Sequence, residues 1–253
     1  MLFRSRAVHS LIVAALLGLV AAPTAAQRGS PAGPRPGGHV AGVFDYYALV
    51  LSWSPSYCAD RQRSGDELQC DRRDGRRYAF VLHGLWPQYE RGYPEYCATR
   101  DRPFVPQDVI NHMLDIMPSP RLVIHEYRRH GTCSALGAAE YFELSRNLFT
   151  KLKIPAPYVD PVRPLFVAPS ELAHEFVAAN PSLKPEMIAI ECRGPGNRLR
   201  AVRICYTREG DFRACGANED QRRLCAAGKM YVPPVRAGAG PDRLPPHGAP
   251  PRQ

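Results

Sequence analysis

Val81-Leu82-His83-Gly84-Leu85-Trp86-Pro87-Gln88-Tyr89 and His125-Glu126-Tyr127-Arg128-Arg129-His130-Gly131-Thr132-Cys133 are the two most informative stretches of this 253-residue chain. The first continues a run from Tyr78 to Leu85 that is rich in aromatic and branched apolar residues. It reads as a strand that delivers His83 near its end. The second closes a helix. Pro118-Ser119-Pro120 breaks the preceding pattern, Ser119 is placed to cap a new helix, and Pro120 suits its first position. That helix is expected to run to His130, with Gly131 as its stop.

Further elements follow outward from these two. Phe44 to Trp53 reads as a buried strand. Val105 to Met117 carries apolar residues at helical spacing. Ala138 to Leu152 and Pro169 to Ala179 read as two more helices. Glu186 to Cys192 and Leu199 to Thr207 read as strands joined by a Gly194-Pro195-Gly196-Asn197 turn, hence a hairpin. Met230 to Val232 reads as a short last strand. Strands at both ends with helices between them indicate an α+β fold.

The flanks are different in kind. Arg4 and Arg6 precede an apolar run from Leu11 to Val20, and Ala25-Ala26 ends a small-residue stretch. Residues 1–26 are read as a signal peptide, too short in its apolar run to span a bilayer. Residues 27–39 read as a flexible Pro/Gly-rich leader and 233–253 as a disordered Pro/Arg-rich tail. Residues 40–232 remain as one catalytic-sized domain. No membrane association is expected. The eight cysteines fit an exported protein with four disulfides, periplasmic or extracellular. The count alone leaves their pairing open, and the chain has no Cys-x-x-Cys pair to suggest zinc. The net charge is +9, or +7 once Arg4 and Arg6 leave with the signal. A basic surface favours polyanions such as nucleic acid.

At about 100° per residue, His125, Glu126, Arg129 and His130 fall on one arc of the second helix, and Tyr127 and Arg128 fall outside it. The arc could line a cleft or be a solvated polar face. A zinc hydrolase would need His-Glu-x-x-His, with the second histidine four residues on. Arg129 stands there, and His130 comes one residue too late. His83 alone could equally be a hydrogen-bonded core histidine, and Trp86 a core aromatic or a stacking platform for a base.

Taken together, His83-Gly84-Leu85-Trp86-Pro87, the block from His125 to Cys133 and the stretch Phe44 to Cys58 resemble the ribonuclease T2 family, over roughly Phe44 to Val232. The resemblance implies a central antiparallel sheet with packed helices. It implies a metal-independent endoribonuclease acting on single-stranded RNA, with no cofactor and no cleavage of DNA. His83 would be the general acid and His130 the general base. His125 would bind phosphate, and Glu126 with Arg129 would stabilise the transition state. Trp86 and Tyr93 would sandwich a base with Gln88 at its edge, and Pro118 and Ser119 would border a second base. The cysteine pattern of the family implies Cys97–Cys133, Cys192–Cys225, Cys205–Cys215 and Cys58–Cys70. The protein is expected to act as a monomer. A non-catalytic RNA-binding or inhibitory relative is the alternative within the same fold.

The chain departs from the family pattern at three positions. Arg129 stands where the family usually has Lys, and a planar fork replaces a compact ammonium. Tyr127 replaces a frequent Trp. Gln88 replaces an acidic residue of some members, which leaves base preference open.

Overall fold

The computed structural model describes residues 38–60, 67–70 and 77–235. They lie within one of the chain's two compact units, Pro34–Gln253. The expected signal peptide, most of the leader and most of the tail lie outside the described residues.

The elements, in chain order, are β1 (Tyr46–Trp53), α1 (Ser54–Asp60), α2 (Glu67–Cys70), β2 (Phe80–Gln88), α3 (Gln107–Met113), α4 (Pro120–Arg129), α5 (Ala138–Lys151), β3 (Leu165–Val167), α6 (Pro169–Ala179), β4 (Ile188–Arg193), β5 (Arg198–Tyr206), α7 (Gln221–Leu224) and β6 (Met230–Val232). The main sheet has the order β2-β1-β5-β4, and every pair in it is antiparallel. The fold is α+β, as the order of elements implies. The short strand β6 does not join this sheet but pairs with β3.

Strand alternation gives the sheet two different faces. Tyr47, Leu49, Leu51 and Trp53 of β1 point into the main core, which also holds Met113, Val123, Tyr141, Phe142, Leu172 and Phe176 from the helices. Tyr46, Ala48 and Val50 point the other way, into a smaller cluster with Ala201 and Cys205 and the partly buried Trp86. That second face is the floor of the cleft described below.

Two bulges interrupt the alternation. In β2, Val50 pairs with Gly84 and Leu51 with Leu82, so His83 has no opposite residue. Leu82 and Leu85 can therefore both reach the main core although they are an odd number of residues apart. In β5, Glu191 pairs with Ala201 and Cys192 with Leu199, so Arg200 is the extra residue. Leu199 and Val202 both reach the core by the same device.

The helix carrying the second block forms as its ends dictate. Ser119 is extended, and its hydroxyl accepts from the Leu122 N–H at 3.3 Å. Gly131 does not end the chain's helical course. It opens a 3₁₀ turn, Gly131–Ser134, and the left-handed residue that follows is Ala135, with φ 65°. Gly131 is needed for another reason, because a Cβ there would stand 2.4 Å from the ring of Tyr127.

All eight cysteines are paired, as Cys58–Cys70, Cys97–Cys133, Cys192–Cys225 and Cys205–Cys215. Packing contacts continue past Val232. The Trp53 indole donates to the Pro233 carbonyl at 3.0 Å, and the buried Val235 donates its N–H to the Pro161 carbonyl at 2.8 Å. These contacts make the first residues of the expected tail part of the core.

Candidate active site

The bulge in β2 turns His83 out of the ladder toward the cleft face. Its Nδ1 lies 2.9 Å from the Ser52 hydroxyl of β1, and its Nε2 lies 3.5 Å from Oε1 of Glu126 on α4. The other carboxylate oxygen, Oε2, accepts from the Trp86 indole N–H at 2.7 Å. Trp86 also stacks on the His130 ring, with centroids 5.0 Å apart and planes 23° apart. Five residues, from β1, β2, α4 and the cap that follows α4, thus form one connected unit.

This approach depends on Gly84. A Cβ on that residue would stand 2.0 Å from Glu126 Oε2 and 2.7 Å from the Trp86 nitrogen. The glycine is required by proximity, because it has no positive φ.

Burial sets the charges. Glu126 is 1 % exposed and His130 is 4 % exposed. Burial pushes the Glu126 carboxyl up. The hydrogen bond and charge of His83, the charge of His130 and the Trp86 donor outweigh it and hold the group below the usual carboxylate range. For His130 burial wins. It lowers the imidazole to about 4, helped by the charges of Arg129, His83 and His125, although Glu126 pulls the other way. His130 is therefore uncharged over most of the acidic range, and Glu126 is ionised. The Nδ1 of His130 is buried without a hydrogen-bond partner in the protein.

His83, Trp86, Gln88, Tyr93, His125, Glu126, Arg129 and His130 all line one cavity of about 370 Å³. Arg129 is not loose there. Its Nε and Nη2 both reach Glu95 Oε2 at 2.9 Å. The backbone of the same loop is tied to α4, since the Tyr96 N–H donates to the Arg129 carbonyl at 2.8 Å and Cys97 is bonded to Cys133. Tyr96 takes a left-handed conformation, φ 49°, to make this turn. The loop presents Tyr93, 44 % exposed, to the cavity.

The remaining expected residues are placed as follows. Gln88 lines the cavity but is 2 % exposed, and both ends of its amide are taken. Its nitrogen donates to the Pro87 carbonyl at 3.0 Å, and its oxygen accepts from Asn218 at 2.9 Å. Trp86 has its indole N–H and its ring committed to Glu126 and His130, a positioning part that the sequence does not suggest. Pro118 and Ser119 are buried at the start of α4 and do not line this cavity. Ser119 is used as the helix cap.

The sequence reading missed several residues of the site. Arg203 on β5 lines the cavity, with its guanidinium 5.2 Å over the Trp86 ring. Glu191 holds it at 2.6 Å and Glu219 at 3.5 Å. Asn218 fastens the loop before Tyr93 through the carbonyls of Tyr89, at 3.2 Å, and Gly92, at 2.7 Å. Ser52 and Arg203 share a signal that was available: each is a polar residue in the middle of an apolar strand. Among the described residues, no three His, Cys, Asp or Glu side chains gather as a metal ligand set.

Comparison with known proteins identifies the family. The family model described as Ribonuclease T2 family matches residues 44–215. A ribonuclease of Aeromonas hydrophila is 36 % identical over 205 residues, covering 75 % of this chain and 84 % of its own length. Ribonuclease 1 of Arabidopsis thaliana is 29 % identical over 189 residues, covering 66 % and 77 %. The crystal structure of RNase NT in complex with 5′-AMP superposes with a TM-score of 0.58 at 27 % identity, covering 76 % of this chain and 99 % of that one. An RNase-related protein from Calystegia sepium, 17 % identical, shares the fold with a TM-score of 0.57 over 76 % of this chain and 98 % of its own. The chain belongs to the ribonuclease T2 family, whose members are endoribonucleases.

Proposed function

We propose that this protein is an exported endoribonuclease that cleaves single-stranded RNA by transphosphorylation, without a metal. The observation that carries this reading is the pair His83 and His130 in one cavity, joined through Glu126 and Trp86, with His130 held uncharged.

In this mechanism neutral His130 takes the proton of the 2′-hydroxyl. The freed 2′-oxygen attacks phosphorus. His83 gives its proton to the departing 5′-oxygen, and a 2′,3′-cyclic phosphate forms. Water then reopens the ring to a 3′-phosphate, with the two histidines exchanging roles. Glu126 faces His83 and offsets the charge that His130 gains with its new proton. His125 and Arg129 meet the negative charge that builds on the phosphoryl oxygens. The need for a 2′-hydroxyl makes RNA the substrate and excludes DNA. Tyr93 is the open aromatic for the base on the 5′ side. The four disulfides and the basic, apolar N-terminal run support export.

The test is incubation with RNA in excess EDTA, followed by analysis of the ends. Cleavage leaving 2′,3′-cyclic phosphates is expected. Cleavage that stops in EDTA, or leaves 5′-phosphates, would overturn the mechanism. His83→Ala and His130→Ala should each lower turnover at least ~100-fold.

A further inference from the structure

Arg129 reaches the cavity while a carboxylate from another segment holds it. Glu95 lies between β2 and α3. The Arg129 Nε–H donates to Glu95 Oε2 at 2.9 Å, and Nη2 lies 2.9 Å from the same oxygen. The backbone repeats the connection. The Tyr96 N–H donates to the Arg129 carbonyl at 2.8 Å, and the Cys97–Cys133 disulfide joins the same two segments. The Tyr96 ring adds a third contact, with its centroid 5.9 Å from the guanidinium carbon. A long side chain is thus gripped along one edge.

The Arg129 and Glu95 side chains are 35 % and 36 % exposed, so their pairing adds little to stability. Its effect is directional. A guanidinium carries five N–H donors in one rigid plane. Glu95 occupies the edge made by Nε and Nη2. The donors on Nη1 have no hydrogen-bond acceptor among the described residues, and Arg129 lines the cavity with His83, His125 and His130. Because the fork is rigid, fixing one edge fixes the direction of the other. An arginine without such a partner would spread over several rotamers, many of them pointing into solvent.

We propose that Glu95 is a positioning residue for the reaction: it aims the free edge of Arg129 at the phosphoryl oxygens without touching the substrate itself. The inference rests on the transphosphorylation reading above, in which Arg129 meets the charge that builds on those oxygens. That charge is greatest while phosphorus is five-coordinate, so a well-aimed donor stabilises the transition state more than the bound substrate. Loss of aim therefore belongs in kcat and not in KM. A residue that only braced the loop bearing Tyr93 would act on KM instead.

The test is a double-variant cycle on Glu95 and Arg129, read as kcat and KM for a dinucleoside monophosphate. Glu95→Gln, at a half-buried site that tolerates the amide, should lower kcat about tenfold and change KM less than about twofold, the loss of one well-aimed charge-assisted contact. In an Arg129→Met background the same substitution should change kcat less than about twofold, because Glu95 acts only through the guanidinium. Three results overturn the proposal. A raised KM with kcat intact would make Glu95 a brace for the loop. A gain in kcat/KM would make it a competitor of the phosphate for Arg129. Equal losses with and without the guanidinium would mean that it acts by another route. In each case a native protein that leaves 2′,3′-cyclic phosphates on RNA keeps the transphosphorylation reading intact. A native protein that cleaves RNA without such ends removes that reading, and the role of Glu95 falls with it.

Discussion

His130 is a buried imidazole beside four other charge-bearing side chains, and its position governs how the site responds to acid. With its value lowered to about 4, the ring is neutral and able to accept a proton above that pH. The acidic limb of kcat/KM should therefore fall near pH 4 and not near the ordinary histidine value of about 6.5. A limb at 6.5 in a pH–rate profile would remove His130 from the role of base. The same shift links to stability. The unfolded chain takes up a proton near pH 6.5 and the folded chain only near pH 4, so folding weakens as pH falls through this window. The loss from this residue is on the order of 3 kcal/mol, complete below about pH 4. Gly84 sets a second residue-scale expectation. Gly84→Ala should push Glu126 away from Trp86 and lower turnover at least ~10-fold, with little change in secondary structure by circular dichroism. Retention of full activity would show that Glu126 needs no such approach. The shared arc of His125, Glu126, Arg129 and the cap residue His130 was readable from helical periodicity alone. Arg203 and Ser52 left only the faint signal of a polar residue within a strand, and Asn218 left none, because their partners lie on other strands and loops.

At the scale of elements, caps and alternation predicted most of the secondary structure. Ser119 and Pro120 start α4 where the sequence says, and α6 spans the expected Pro169–Ala179. The strand β3 was missed, since three residues carry too little pattern and the strand exists only through its pairing with β6. The bulges were missed too. Each is visible only when a strand is laid against its neighbour, yet they aim His83 and Arg200. The loop that bears Tyr93 and Glu95 depends on a different link, the Cys97–Cys133 disulfide, which closes a separation of 36 residues. Cys97→Ala/Cys133→Ala should cost roughly 3–4 kcal/mol in urea unfolding. It should also raise KM several-fold, because the loop that holds Arg129 and offers Tyr93 is freed from α4. An unchanged KM would show that the remaining contacts of Glu95 and Tyr96 suffice.

For the whole molecule, charge and the cleft act together. A chain with net charge +9 and several arginines along one groove should bind RNA in a salt-dependent way. With about three phosphates contacted, KM for an RNA oligomer should rise roughly twentyfold between 50 and 200 mM salt. A KM indifferent to salt would mean that base contacts, not phosphate contacts, carry the binding. The amino-acid sequence by itself determined the disulfide-bonded character, the α+β class, the family and the arc at the end of α4. These follow from composition, local caps and periodicity, which act over a few residues. Tertiary structure alone decided that Trp86 serves Glu126 and His130, that Gln88 is already engaged, that Pro118 and Ser119 lie off the main cavity, and that β5 supplies arginines. Those outcomes rest on strand register and on burial between distant segments. Burial is also what leaves His130 uncharged, while the His83, His130 and Trp86 groups around it keep Glu126 charged, and no local pattern encodes either.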